Sequence, residues 1–215
     1  DDLVFVGQGE IHATNYVGGI FGAIGIIDGY TTDDTLLFNT IRYGSTTNVS
    51  NANIVTFKPS SAKNIGGIYG TNNVGGLVGG VFKKALIYLE NAVTNADNPT
   101  FDVSNGANVY GTQYVGGIVG YLEQESHVLN RVVNTGVIGA TNASYVGGLV
   151  GYMIGGTISN SVSASSKTAP DETTNLYLGS KYVGGLVGFM QGGSLENSLS
   201  TGFKFDGNNT SITKG

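Results

Sequence analysis

The sequence predicts an all-β fold, a parallel β-helix or β-solenoid of about five coils with roughly three short strands in each. Three observations predict it. The string Tyr16-Val17-Gly18-Gly19-Ile20-Phe21-Gly22 returns four times, beginning at Asn73, Tyr114, Tyr145 and Tyr182. A second segment carrying an asparagine follows each copy, and a third, short and apolar, precedes it. All three segment types are β-branched or aromatic and bounded by Gly, Asn, Thr and Ser, which is strand chemistry. Repetition of this kind marks a stacked architecture, in which no unit buries its own apolar face and neighbours must do so together.

The core motif comes first. Its glycine doublets are Gly18-Gly19, Gly75-Gly76, Gly116-Gly117, Gly147-Gly148 and Gly184-Gly185. The second glycines, at 19, 76, 117, 148 and 185, are 57, 41, 31 and 37 residues apart. Constant motifs at variable intervals mean fixed strands joined by loops of different length. The doublet has two physical readings, a positive-φ corner or a close approach between two sheets. The two aliphatic residues that follow have opposite parity on a flat strand, so a bulge or corner at the glycines is needed to turn both inward.

The following segment reads Leu36–Ile41, Tyr88–Val93, Val128–Val132, Ile158–Val162 and Leu195–Leu199. Its asparagines, Asn39, Asn91, Asn130, Asn160 and Asn197, lie 20, 15, 13, 12 and 12 residues after the second glycine. Stacked in register, they are expected to form an amide ladder along the axis. The stretch Val81–Glu90 has helical propensity, but Asn91 holds its place in the repeat, so a strand is expected there.

The preceding segment is Ile68-Tyr69-Gly70, Val109-Tyr110-Gly111, Val137-Ile138-Gly139 and Tyr177-Leu178-Gly179, with a looser first copy around Phe5-Val6-Gly7 and Ile11. These segments divide one repeat domain over 1–215 into units at about 1–64, 65–107, 108–134, 135–174 and 175–215. The least repetitive stretches, about 42–64, 94–107 and 163–175, are insertions where binding would sit. Asn53–Phe57 reads as an extra strand inside the first.

Composition narrows the function. Charged residues are 12% of the chain against a usual share of about 25%, and glycines number 36 of 215. A net charge of −5 argues against a nucleic-acid partner. There is no cysteine and hence no disulfide framework. No apolar run is long enough for membrane insertion. The chain opens on Asp1-Asp2 and closes on what reads as the lead-in to another copy, as expected of a piece of a longer polypeptide.

Candidate chemistry is sparse. His12 and His127 lie in different repeats without a ligand set and read as surface residues. No His-Glu-x-x-His or Gly-x-Ser-x-Gly string occurs, and no Gly-Lys-Ser/Thr follows the glycine doublet. Asp28, Asp33 and Asp34 surround Gly29–Thr32 and are the weak candidates for calcium or for paired-carboxylate glycoside chemistry. Their spacing matches no calcium loop, and a solvated acidic loop is the favoured reading. No cofactor is expected and no catalytic residue stands out.

Gly147-Gly148-Leu149-Val150-Gly151 and Gly184-Gly185-Leu186-Val187-Gly188, each followed twelve residues on by an Asn-Ser pair, resemble the core of the GLUG repeat. Gly75–Gly79 matches that core with a longer gap, and the copies at Gly18 and Gly116 carry Ile for Leu. The resemblance implies a non-catalytic segment of a large bacterial surface or secreted protein. Such repeats occur in filamentous haemagglutinin-like adhesins and in the N-terminal regions of immunoglobulin A peptidases. The expectation is an extracellular adhesin segment whose partners are a host-surface protein or glycan and its own neighbouring coils. Substrate positioning in a secreted peptidase is the alternative, and a solenoid polysaccharide hydrolase or lyase the second alternative.

Overall fold

The computed structural model describes residues 10–25, 39–43, 53–56, 67–83, 85–90, 103–123, 127–139, 143–164, 177–178 and 181–201. Among them there is no helix, and every strand pairing is parallel. The fold is a parallel β-solenoid. One complete coil shows the plan: strands Asn108–Tyr110, Gln113–Gly116, Val119–Leu122, Val128–Asn130 and Val133–Asn134 follow one another around the axis. Each belongs to its own sheet, and the five sheets hold five, five, five, six and four strands in that order.

The coil is divided more finely than the roughly three strands expected. The motif itself supplies two strands, because the chain bends between them at the second glycine and the next residue, as at Gly117-Ile118. That corner resolves the parity of the two aliphatics. Leu77 and Val78 are both buried, as are Ile118 with Val119 and Leu149 with Val150. The other additional strand follows the asparagine-bearing segment and was hidden in the apparent insertion at 94–107, whose end (Ser104–Asn105) is part of the solenoid. Ala85–Glu90 is a strand, as its place in the repeat requires. Asn53–Thr56 is a strand too, paired with Asn39–Tyr43 on the side away from Ala85–Glu90.

The glycine doublets stand in single file. Gly18, Gly75, Gly116, Gly147 and Gly184 are register partners from coil to coil. Val17, Val74, Val115, Val146 and Val183 form the adjacent aliphatic file. None of the doublet glycines has a positive φ, so close approach, not a left-handed corner, explains them. A methyl group at Gly117 would fall 2.2 Å from the Gly148 carbonyl oxygen and 2.4 Å from Cγ of Asn134. At Gly76 it would meet the Gly117 carbonyl and Asn105, and at Gly148 the Gly185 carbonyl and Ser163. The second glycine therefore faces a buried polar file across the interior. It lies in the chain between the two apolar clusters, one around Val115 and Ile138 and the other around Ile118, Leu122 and Leu129.

The left-handed conformation falls instead on non-glycine residues. The first motif residue has a φ of 54° at Tyr16, 51° at Asn73, 53° at Tyr114, 57° at Tyr145 and 48° at Tyr182. For a bulky residue this costs roughly 1–2 kcal/mol. It kinks each strand, so that register pairs run through Gln113, Val115 and Gly116 and skip Tyr114. The kink turns the tyrosine ring out beside an inward valine.

The register departs from the expected asparagine ladder. Asn130 pairs with Ser159, whose partner is Glu196; Asn160 and Asn197 lie one residue further on, at the place of Arg131. Asn39 pairs with Ala85 and Asn53, and Asn91 lies outside the described residues. Arg131, Asn160 and Asn197 share a left-handed corner, φ 60°, 50° and 45°, a conformation asparagine tolerates well. One rung of the expected ladder survives the shift, because Asn160 Nδ2 donates to Asn130 Oδ1 of the preceding coil at 2.9 Å, and the serine after it adds further inter-coil bonds. The Ser161 hydroxyl donates to the Ser159 carbonyl (2.7 Å) and accepts from the Val132 amide of the preceding coil (3.2 Å). Ser198 repeats both bonds, with the Glu196 carbonyl (2.8 Å) and the Ser161 amide (3.1 Å).

The preceding segment also slips by one. Val109 pairs with Ile138, and Ile138 with Tyr177, so Tyr110 falls opposite Gly139. The trailing glycine suggested otherwise. Core packing decides: Ile68, Val109 and Ile138 share one apolar cluster, to which Val137, though buried, does not belong.

Candidate functional site

The outward face of the motif carries a ribbon of aromatic rings. Two files build it. The left-handed position contributes Tyr114, Tyr145 and Tyr182, whose ring centroids are 5.1 and 4.9 Å apart. The residue after the third glycine contributes Tyr121, Tyr152 and Phe189, at 5.6 and 5.1 Å. Within a file the planes differ by 12–30°. Between the files the rings meet largely edge to face, as in Tyr114–Tyr152 at 80° and Tyr182–Phe189 at 76°. Edge-to-face and offset stacked pairs are the favoured aromatic geometries, each adding about 0.5–1.5 kcal/mol beyond area burial.

The second coil lacks a ring at both positions, having Asn73 and Gly80 there. Phe82 takes up the space. A methyl group on Gly80 would lie 2.6 Å from the Phe82 ring, and that ring contacts Tyr121 at 5.5 Å and Tyr16 at 5.3 Å. The ribbon thus runs through all five coils. Apart from buried Phe82 and the 51% exposed Tyr182, its rings are half-buried. Burial raises the Tyr114 phenol, with Tyr145 and Tyr152 adding to it. Burial, then Glu123 and the neighbouring phenols, push Tyr121 up to about 12. Both phenols stay protonated and neutral. Tyr152 donates its hydroxyl to Oε1 of Gln191 at 3.1 Å.

The sequence contained a sign of this ribbon that motif reading passed over. The two files are seven residues apart in three successive copies, Tyr114/Tyr121, Tyr145/Tyr152 and Tyr182/Phe189. A smaller stack lies on the first sheet, where His12 sits 4.5 Å from Tyr69 and Tyr69 is 5.1 Å from Tyr110. His12 is exposed and 2.9 Å from Glu10.

His127 is not the surface residue expected. It is 1% exposed, and its Nδ1 accepts the Ile87 amide at 3.3 Å. That bond requires the tautomer with its proton on Nε2. Burial pushes its pKa down to about 4, because the charged form loses its hydration.

Asn105 and Asn134 are further buried polar groups without a sign in the repeated motif, both 0% exposed. Each closes a turn on itself: Oδ1 accepts the amide two residues on, and Nδ2 donates to the same residue's carbonyl, Ala107 for one and Gly136 for the other. Asn105 Nδ2 also donates to Asn134 Oδ1 of the next coil at 2.9 Å. The file continues with Ser163 and Ser200, and the Ser200 hydroxyl donates to the Gly185 carbonyl at 2.7 Å.

Asp28, Asp33 and Asp34 lie outside the described residues. Among the described residues no group of three or more His, Asp or Glu side chains stands together, and no helix is long and apolar enough to cross a membrane. The strands define a parallel β-solenoid with an aromatic flank. No family model matches the chain, and neither a curated protein nor a solved structure matches it.

Proposed function

We propose that this chain is a non-catalytic binding segment of a bacterial cell-surface adhesin, in which a rigid solenoid presents its flank and its inter-strand insertions for attachment to a host or other surface. The observation that carries this reading is the in-register stacking of five coils, which multiplies one surface feature along a line. A repeated array of weakly binding groups gains avidity without any single strong site. The motif's likeness to the GLUG repeat supplies the bacterial and extracellular setting.

Two measurements test it. Beads coated with the purified chain are expected to attach to host epithelial cells or to spots on combined glycan and protein arrays, above beads coated with an unrelated acidic solenoid. Antibody raised against the chain is expected to label intact producing bacteria. Absence of attachment on all of these surfaces, together with labelling only after lysis, would overturn the reading.

A further inference from the structure

The geometry points to the aromatic ribbon as a binding strip for an extended, neutral, β-1,4-linked polysaccharide, lying along the solenoid axis with one sugar residue per coil. This rests on the binding role proposed above and names the ligand class and the surface.

Four observations lead there. The first is spacing. Equivalent rings in successive coils are 4.9–5.6 Å apart, set by the strand separation of about 4.8 Å. That is close to the length one sugar occupies in an extended β-1,4-linked chain, so ligand and scaffold keep step over several units. An α-linked chain coils and loses the match.

The second is the state of the ring faces. Near-parallel planes with centroids about 5 Å apart form slipped stacks, because full overlap would bring them nearer to van der Waals contact. Each ring covers only part of its neighbour's face. Tyr114, Tyr121, Tyr145 and Tyr152 are only partly buried, so their outward side remains in contact with solvent. The axial C–H faces of a β-linked sugar are apolar and suit such a surface.

The third is polarity. The rings themselves are uncharged, and the phenols of Tyr114 and Tyr121 stay protonated. Phenol hydroxyls and the Gln191 amide, already joined to Tyr152, supply hydrogen bonds at the edge for equatorial sugar hydroxyls. A polyanionic glycan gains nothing here, and with Glu123 close to Tyr121 it is opposed.

The fourth is strain. The ring-bearing position of the first file is held left-handed in every coil, at a cost asparagine or glycine would lessen. The second coil shows that the fold accepts asparagine there, at Asn73. The tyrosines at the other four places bear that cost and offset it with the ring contacts of the ribbon, which leaves a continuous outward row of rings.

The chain has 12 tyrosines and no tryptophan, and six of the tyrosines lie in the ribbon, so a ligand seated there quenches part of the tyrosine emission. Cellohexaose, xylohexaose and maltohexaose, with cellotriose, are titrated into the intact chain. The β-linked hexamers are expected to quench emission with an affinity about tenfold above both the α-linked hexamer and the trimer. Tyr114→Asn and Tyr145→Asn are each expected to weaken that binding about tenfold, measured without denaturant and with folding checked by circular dichroism, because the lost ring contacts lower the urea midpoint. Equal affinity for α- and β-linked hexamers, no binding at millimolar ligand, or binding untouched by both variants overturns the assignment. Bead attachment separates the two claims. Attachment that survives in the tyrosine variants removes the glycan strip and leaves the adhesive segment standing. Glycan binding in solution without attachment to any surface supports the strip and removes the adhesive role.

Discussion

At the scale of single residues, the fold depends on the smallest side chain opposing a buried polar one. Gly117 has no room for a methyl group between the Gly148 carbonyl and Asn134. Gly117→Ala is expected to lower stability by roughly 3 kcal/mol, at the upper end for overpacking, because one obstacle is main chain and the other, Asn134, is held by its own hydrogen bonds. A urea melt followed by circular dichroism measures it; an unchanged midpoint would mean that the interior yields more easily than these contacts allow. Asn134→Leu removes the partner of Asn105 Nδ2 and of the Gly136 amide and carbonyl. A loss of about 1–3 kcal/mol for each group left unpaired is expected in the same assay.

His127 gives stability a pH dependence whose sign is fixed by burial. Its folded pKa, about 4, is below the ordinary value of 6.5. Between these two values the unfolded chain binds more protons than the folded one, so stability falls as pH is lowered through that window. Above pH 6.5 the histidine is neutral in both states and contributes no slope. The full effect is about 3 kcal/mol. Urea midpoints from pH 7.5 to 4 are expected to drop across this window, and His127→Gln, which keeps a hydrogen-bond acceptor, is expected to flatten the drop. A slope identical in that variant would assign the acid sensitivity to other groups.

At the scale of strands and coils, position along the axis governs cohesion. Each inner coil is sandwiched, and Val115, Leu122, Leu149, Val150, Met153 and Ile158 are fully buried. Their counterparts in the fifth coil are not: Val183, Leu186, Val187 and Met190 are half-buried, and Leu195 is 42% exposed. A fully buried aliphatic side chain stabilises by roughly 1.5–3 kcal/mol, and half of that contact is missing at an end coil. Amide hydrogen exchange is expected to be slowest in Gln113–Gly116, Val119–Leu122 and Val150–Met153 and at least tenfold or so faster in Ser194–Glu196. Uniform protection across all five coils would contradict a stack held by nearest neighbours.

At the scale of the whole molecule, the two ends differ. In the first coil Val17 is 2% and Ile24 7% exposed, and the strand Asn53–Thr56 adds a layer outside Asn39–Tyr43. In the fifth coil Tyr182, Leu195 and Leu199 are exposed beside strands that end their sheets among the described residues. Open, apolar edges recruit further strands. The isolated chain is expected to self-associate as its concentration rises, and Leu195→Lys with Leu199→Lys is expected to shift the sedimentation profile to monomer. A wild-type chain that stays monomeric at millimolar concentration would mean that this end is already covered.

The repeated motif was enough to determine the solenoid, the coil number, the file of glycine doublets and the strand at Ala85–Glu90, because residues recurring at the same place in stacked units must stand above one another. Counting letters did not determine the register elsewhere. Asn160 and Asn130 look equivalent in the sequence but differ by one residue in space, as do Ile138 and Tyr110 in their apparent alignment. There the deciding fact is which side chains face inward, and loops of unequal length carry no information about that. The burial of His127, the Asn105–Asn134 contact against the glycines and the joining of two tyrosine files into one ribbon were likewise settled only in three dimensions. Each brings together groups from opposite walls or neighbouring coils, and their distance apart is a property of the wound chain rather than of the sequence along it.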